Sequence, residues 1–337
     1  MNDAIAASGL PVSSRSPGKC ILFGEHAVVR GEPELLLAID LPLQLGITPS
    51  PDYRLNGSTE AASAHPYLKA ARERLWDDAY GAFNVEVVSR IPRAAGLGSS
   101  AAFTSALAAG LSAVRGGVER SLLAEHSFAI ERAAQGVGSP GDTSAVVGGG
   151  YVAVNAGSGA LLWELSDGSN RWTARRVTDP GWVWLVAYSG VPRSTADAVR
   201  AVERRLSEPD GSRLLEQFRE VATLGVEAVA REDRAAIGPL LDRNHALLRE
   251  VGVSHPRLEA LLDAVRPVSE GAKLTGAGAG GSIVALVRSG REAEATRRVQ
   301  RAGGAAYVVR ADPAGTDLVV PKGAPSAGLR SAPPPPP

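Results

Sequence analysis

Apolar residues recur along this chain in two periods, and the changes from one to the other mark out its elements. Residues 83–91 set Val85, Val87 and Val88 among polar neighbours and predict a strand. Phe103, Leu107 and Leu111 then recur every four residues, as on one face of a helix. Residues 65–80 predict an amphipathic helix with Tyr67, Leu68, Ala71, Leu75 and Trp76 on its apolar side. A further helix is expected over 121–134, with Glu131 near its end. Strand material over 35–47 is expected to break at Pro42, where no N–H is available for a ladder. Residues 151–155 read as a strand, 156–180 as hairpins leading toward a second unit, and 182–187 as a strong apolar strand. Helical patterns follow over 201–229, 234–251 and 254–265, then a strand over 283–287.

The two ends lack such periodicity. Residues 1–14 read as a flexible N-terminal arm, and 321–337, closing on five prolines, as a disordered or polyproline-like tail. Both units between them mix helices and strands without the regular alternation of a doubly wound sheet, which predicts an α+β fold.

Composition narrows the function. The 36 basic residues balance 36 acidic ones in a chain of 337, leaving no basic footprint for nucleic acid. No apolar run is long enough to span a bilayer, so no membrane partner is expected. The single cysteine, Cys20, excludes an intrachain disulfide and suits a reducing, cytoplasmic setting. The five histidines show no metal-ligand spacing, which disfavours a zinc site. Lysines are scarce in this arginine-biased chain, so Lys19 and Lys273, both beside glycine loops, draw notice for their compact charge.

The chemistry concentrates in glycine loops. Pro92-Arg93-Ala94-Ala95-Gly96-Leu97-Gly98-Ser99-Ser100-Ala101 joins a strand to a helix N-terminus, where free backbone N–H groups and the positive dipole end suit a polyphosphate. Ser99 or Ser100 could instead be a plain N-cap. The dinucleotide pattern Gly96-x-Gly98 is not followed by the expected second strand, and no loop carries a P-loop Gly-Lys-Ser/Thr ending. Asp142 is the one carboxylate of the loop over 136–144, where it could simply cap a short helix over 143–147. Lys19, Glu25 and His26 flank a short strand and could be a solvated hairpin rim. Residues 273–282 form a third glycine loop, followed by a strand and expected to turn tightly against the first loop.

Three segments, 17–29, 92–102 and 273–282, together resemble the GHMP kinase superfamily, small-metabolite kinases that use ATP, and within it the mevalonate kinase family. Gly24-Glu25-His26-Ala27-Val28-Val29, the Val191-Pro192-Arg193-Ser194-Thr195 turn and the stretch from Asn244 to Ser254 carry the closer likeness. The resemblance implies a two-domain fold, 15–179 and 180–320, with the active site in the cleft between. It implies that Pro92, Ala95, Gly96, Leu97, Gly98, Ser99, Ser100 and Ala101 bind ATP and that Ser100 and Glu131 hold Mg²⁺. By the same likeness Asp142 takes the proton of the acceptor hydroxyl and Lys19 stabilises developing negative charge. Glu25, His26, Arg193 and Thr195 border the acceptor, a small molecule of the mevalonate type. The sequence departs from the pattern at Thr143, Ala279, Ser282 and Phe103; Ala279 is tolerable if it keeps negative φ. Another kinase of the superfamily, acting on phosphomevalonate or on the 3-hydroxyl of mevalonate, and a non-catalytic sensor on the same fold remain alternatives; a homodimer is left open.

Overall fold

A computed structural model describes residues 10–136, 139–192 and 195–319. The first half runs β1 (Val12–Phe23), β2 (Glu34–Pro49), β3 (Arg54–Leu55), α1 (Thr59–Ala64), α2 (Pro66–Leu75), β4 (Phe83–Ser89), α3 (Ser99–Val114), α4 (Arg120–Gln135), α5 (Gly141–Gly148), β5 (Tyr151–Val154), β6 (Ala160–Ser166) and β7 (Arg171–Val177). The second runs β8 (Trp184–Tyr188), α6 (Thr195–Leu206), α7 (Gly211–Ala230), α8 (Arg234–Glu250), α9 (Pro256–Val265), β9 (Ser269–Thr275), β10 (Ser282–Val287), α10 (Glu292–Arg301), β11 (Ala305–Val309) and β12 (Asp317–Leu318).

The strands form two sheets. One has eight strands, in the order β12-β1-β2-β5-β7-β6, with β4 joined to the far half of β2 and β3 to β4. The other has four, β11-β8-β10-β9, all antiparallel. In the larger sheet only β3 and β4 pair in parallel, so the fold is α+β with none of the crossover-linked parallel strands of a doubly wound sheet.

Helix α3 lies on β1 and β2, and every residue from Ala101 to Ser112 is buried. Burial of Phe103, Leu107 and Leu111 contributes about 1.5–3 kcal/mol each. The helix can sit so close because Gly110 has no side chain; a Cβ there would come 2.8 Å from Ile47 Cδ1. In the second half, α8 packs on β9, and α7 reaches back over β1, with Gly225 lying flat on the Phe23 ring.

Several boundaries differ from the sequence pattern for local reasons. Strand β2 runs through Pro42, because a register shift between Pro17 and Gly18 places the imino acid where no ladder donor is required. The helix expected over 65–80 starts at Pro66 with His65 as its cap and stops at Leu75; Asp78–Tyr80 is a separate 3-10 turn. Strand β1 begins at Val12, three residues before the expected start of order, anchored where Ser14 Oγ donates to the Ala106 carbonyl. The hairpin of β6 and β7 completes the first sheet, and the chain returns to that sheet at its end, where β12 pairs with β1. The proline-rich tail lies outside the described residues.

Candidate active site

The phosphate loop meets helix α3 at Gly98, which adopts φ 75° as the N-cap residue. As a glycine, Gly98 brings no side chain to cap this helix. Ser99 and Ser100 are its first two residues, so neither is the cap, and the first-turn N–H groups keep their capacity for an external acceptor. Gly98 is required twice over, by its left-handed φ and because a Cβ would stand 2.6 Å from Lys19 Cγ. The Lys19 stem thus runs directly beneath the loop, and the Lys19 N–H donates to the Leu97 carbonyl at 3.0 Å.

Lys19 is 1 % exposed and belongs to no solvated rim. Its Nζ stands 2.8 Å from Asp142 Oδ1. Asp142 lies inside the first turn of α5, whose N-cap is Pro140, and makes no capping hydrogen bond. The helix starts two residues earlier than its sequence pattern suggests, so the capping role is excluded by position. The carboxylate is instead a negative charge near the positive end of the α5 dipole, held by a buried ammonium.

Glu131, on α4, accepts a hydrogen bond from Thr143 Oγ1 at 2.8 Å. Burial pushes its carboxyl up to about 7, the Asp142 charge adds to that, and hydrogen bonds from Thr143 and Ser100 hold it back. Ser100 and Glu131 are therefore adjacent, on the first turn of α3 and the last turns of α4. A hydroxyl oxygen and a buried carboxyl oxygen form a pair of hard donors that fits Mg²⁺.

The third loop closes against the phosphate loop, as its sequence suggests, and its flanking strand also bonds to β1. Ser282 Oγ donates to the Ala95 carbonyl at 2.9 Å, and Thr275 Oγ1 both accepts from Ile21 N–H at 2.8 Å and donates to the Ile21 carbonyl at 2.9 Å. Lys273 belongs to β9 rather than to the loop and is ion-paired with Glu25, both groups being fully buried. Burial pushes the Glu25 carboxyl up and the Lys273 ammonium down, while their mutual attraction opposes both shifts. Next to Glu25, His26 takes φ 64° and its Nε2 lies 3.1 Å from the Ala277 carbonyl. Ala279 has φ 57°, so the condition of negative φ set for tolerating its methyl is not met; its N–H donates to the Val253 carbonyl at 2.7 Å. Arg193 lies outside the described residues, and of Thr195 only its place at the start of α6 is described.

One residue of this cluster escapes sequence reasoning. Glu34 heads β2, is 2 % exposed, and lies among Asp142, Lys19, Glu25 and Lys273. Its only signal is a carboxylate opening an otherwise apolar run, Leu35-Leu36-Leu37.

Comparison with known proteins bears on the family and the fold. The profile for the GHMP kinases N terminal domain matches residues 66–150, and that for the GHMP kinases C terminal matches 226–305. The mevalonate kinase of Methanothermobacter thermautotrophicus is 30% identical over 288 residues, 81% of this chain and 89% of that protein. The crystal structure of the Methanococcus jannaschii mevalonate kinase superposes with a TM-score of 0.73 at 24% identity, covering 90% of this chain and 98% of that one. The L. major mevalonate kinase in complex with R-mevalonate gives 0.72 at 24%, covering 92% and 96%. At these identities the two structures establish the fold. Among the described residues no helix is long and apolar enough to cross a membrane.

Proposed function

Because the chain belongs to the GHMP kinase family, we propose that its cleft transfers the γ-phosphoryl group of ATP to the 5-hydroxyl of mevalonate. The observation that carries the reading is the Lys19–Asp142 pair, set beside the N-terminus of α3, with the Ser100–Glu131 oxygens near it. Phosphoryl transfer asks the protein mainly for positioning and charge stabilisation, and these residues supply both.

The loop from Pro92 to Gly98 and the first-turn N–H groups of Ser99, Ser100 and Ala101 receive the nucleotide phosphates. Ser100 and Glu131 would hold Mg²⁺, which supplies charge neutralisation at the transferring phosphoryl group when bound. Asp142 accepts the proton of the acceptor hydroxyl, and Lys19 offsets the negative charge that develops there. By the family likeness Glu25 and His26, in the turn after β1, border the acceptor, and Arg193 and Thr195 belong to the same acceptor set. The same reading divides the chain into a nucleotide-binding unit over 15–179 and a second unit over 180–320, and sets it in the cytoplasm, where a lone buried thiol stays reduced. The mevalonate held by the L. major relative supports the choice of acceptor.

A coupled ADP-release assay across mevalonate, phosphomevalonate, homoserine and galactose tests the assignment, with phosphorus NMR fixing the hydroxyl that is modified. Turnover confined to mevalonate and a 5-phosphate product uphold it. Turnover on phosphomevalonate alone assigns a different kinase, and none on any acceptor leaves a sensor.

A further inference from the structure

Glu34 is a buried carboxyl for which the proposed transfer has no use. Its Oε2 atom has no hydrogen-bond partner among the described residues. It packs against the first residue of α5, since a Cβ built at Gly141 would run into that same oxygen. The next residue along the helix is Asp142. The charged groups facing Glu34 are Asp142 on α5, Lys19 on β1, Glu25 in the turn after β1 and Lys273 on β9. Lys273 is held by Glu25, and Lys19 by Asp142. Among the described residues, three carboxyls therefore share two ammonium groups, and Glu34 is the one left over.

An unpaired carboxylate in such a place is costly, and the group relieves the cost by keeping its proton. Burial first, and the Asp142 charge second, push the Glu34 carboxyl well above the usual carboxylate range. When it does ionise, the nearest ammonium it can recruit is the one Asp142 uses.

We propose that Glu34 is a positioning residue for phosphoryl transfer: as the neutral acid it leaves Lys19 to Asp142, and as the carboxylate it draws Lys19 away. The proposal rests on the kinase reading for its activity arm. It has a second consequence that does not. A carboxyl whose folded pKa is raised binds a proton on folding, so its contribution to stability is intact at acid pH and is lost as pH rises past the ordinary carboxylate range. Replacing it with a group that cannot ionise should therefore help more as pH increases.

The test uses the full-length parent, Glu34→Gln and Glu34→Leu, the second guarding against a misfolded first. Saturating ATP, Mg²⁺ and mevalonate give kcat across pH, and urea midpoints are taken at the same pH values. The parent should lose activity through an inflection on the alkaline side that both variants lack, so that the ratio of alkaline to acid kcat rises about tenfold in the variants. The urea midpoints of the variants should gain on the parent as pH increases. Superimposable kcat profiles with mevalonate turnover intact would overturn the positioning role and leave the kinase reading standing. Absence of mevalonate turnover in the parent would sink the kinase reading instead. The midpoints then decide: a gain that grows with pH upholds a Glu34 carboxyl that ionises inside the folded protein, as the competition requires, and a constant difference overturns it.

Discussion

Lys19 and Asp142 face each other across the junction of β1 and α5 with 2.8 Å between Nζ and Oδ1, the ammonium 1 % exposed and the carboxylate 37 %. One partner is locked into the core while the other keeps an open side, an asymmetry that suits a charge held in place and a base that must reach a ligand. Asp142→Asn should lower kcat about a hundred- to ten-thousand-fold with ATP affinity retained. Because Asp142 is no cap, the substitution also leaves a buried ammonium short of its counter-charge, and the melting temperature should fall rather than hold. Near-normal kcat in the Asn variant would remove Asp142 from the mechanism.

The Glu25–Lys273 pair joins the turn after β1 to β9 with both groups out of water. Breaking it from either side strands a buried charge. Lys273→Met and Glu25→Leu should each cost about 3–5 kcal/mol, and the double variant less than the sum of the two. Urea unfolding of the four proteins measures the coupling; strict additivity would show that the pair does not act as a unit.

Ala279 sits in the left-handed region at φ 57°, a conformation that costs an L-residue with a Cβ about 1–2 kcal/mol. Glycine removes that cost but loses more entropy on folding. Ala279→Gly should therefore stabilise the protein by roughly 0.5–1 kcal/mol in chemical denaturation. A loss of stability would mean that the methyl group contributes packing worth more than the strain.

Cys20 is wholly buried in β1, and that burial pushes its thiol up to about 12. The thiolate is the reactive form, so native protein at neutral pH should resist an aromatic disulfide reagent until it unfolds. The rate of labelling should follow the unfolding curve in urea, and fast labelling of the native state would contradict the burial.

Much of the site was legible in the sequence because its geometry is local. The loop from Pro92 to Ala101 and the helix after it are read from glycine spacing and a four-residue apolar repeat, and α3 does follow, beginning at Ser99, within the stretch read as loop. The same holds for Glu131, fixed near the end of α4 by helical periodicity. Local pattern also misled where two structural readings differ by a residue or two. Asp142 looks like an N-cap until α5 is seen to start at Gly141, and Pro42 looks like a strand end until the register shift beside Gly18 absorbs it.

What the sequence determined by itself is which elements form and which chemical groups they carry, since periodicity and turn chemistry act over a few residues. The tertiary structure decided which of those groups meet. Lys19 and Asp142 lie more than a hundred residues apart in the chain, as do Ser282 and Ala95, and only the packing of α3 and α5 on the first sheet and of the third loop against both brings them together. Burial is likewise a property of that packing. It turns Glu25 from a rim residue into half of a core ion pair and leaves Glu34 Oε2 without a hydrogen-bond partner among the described residues, because the cost of a charge depends on the water removed from it.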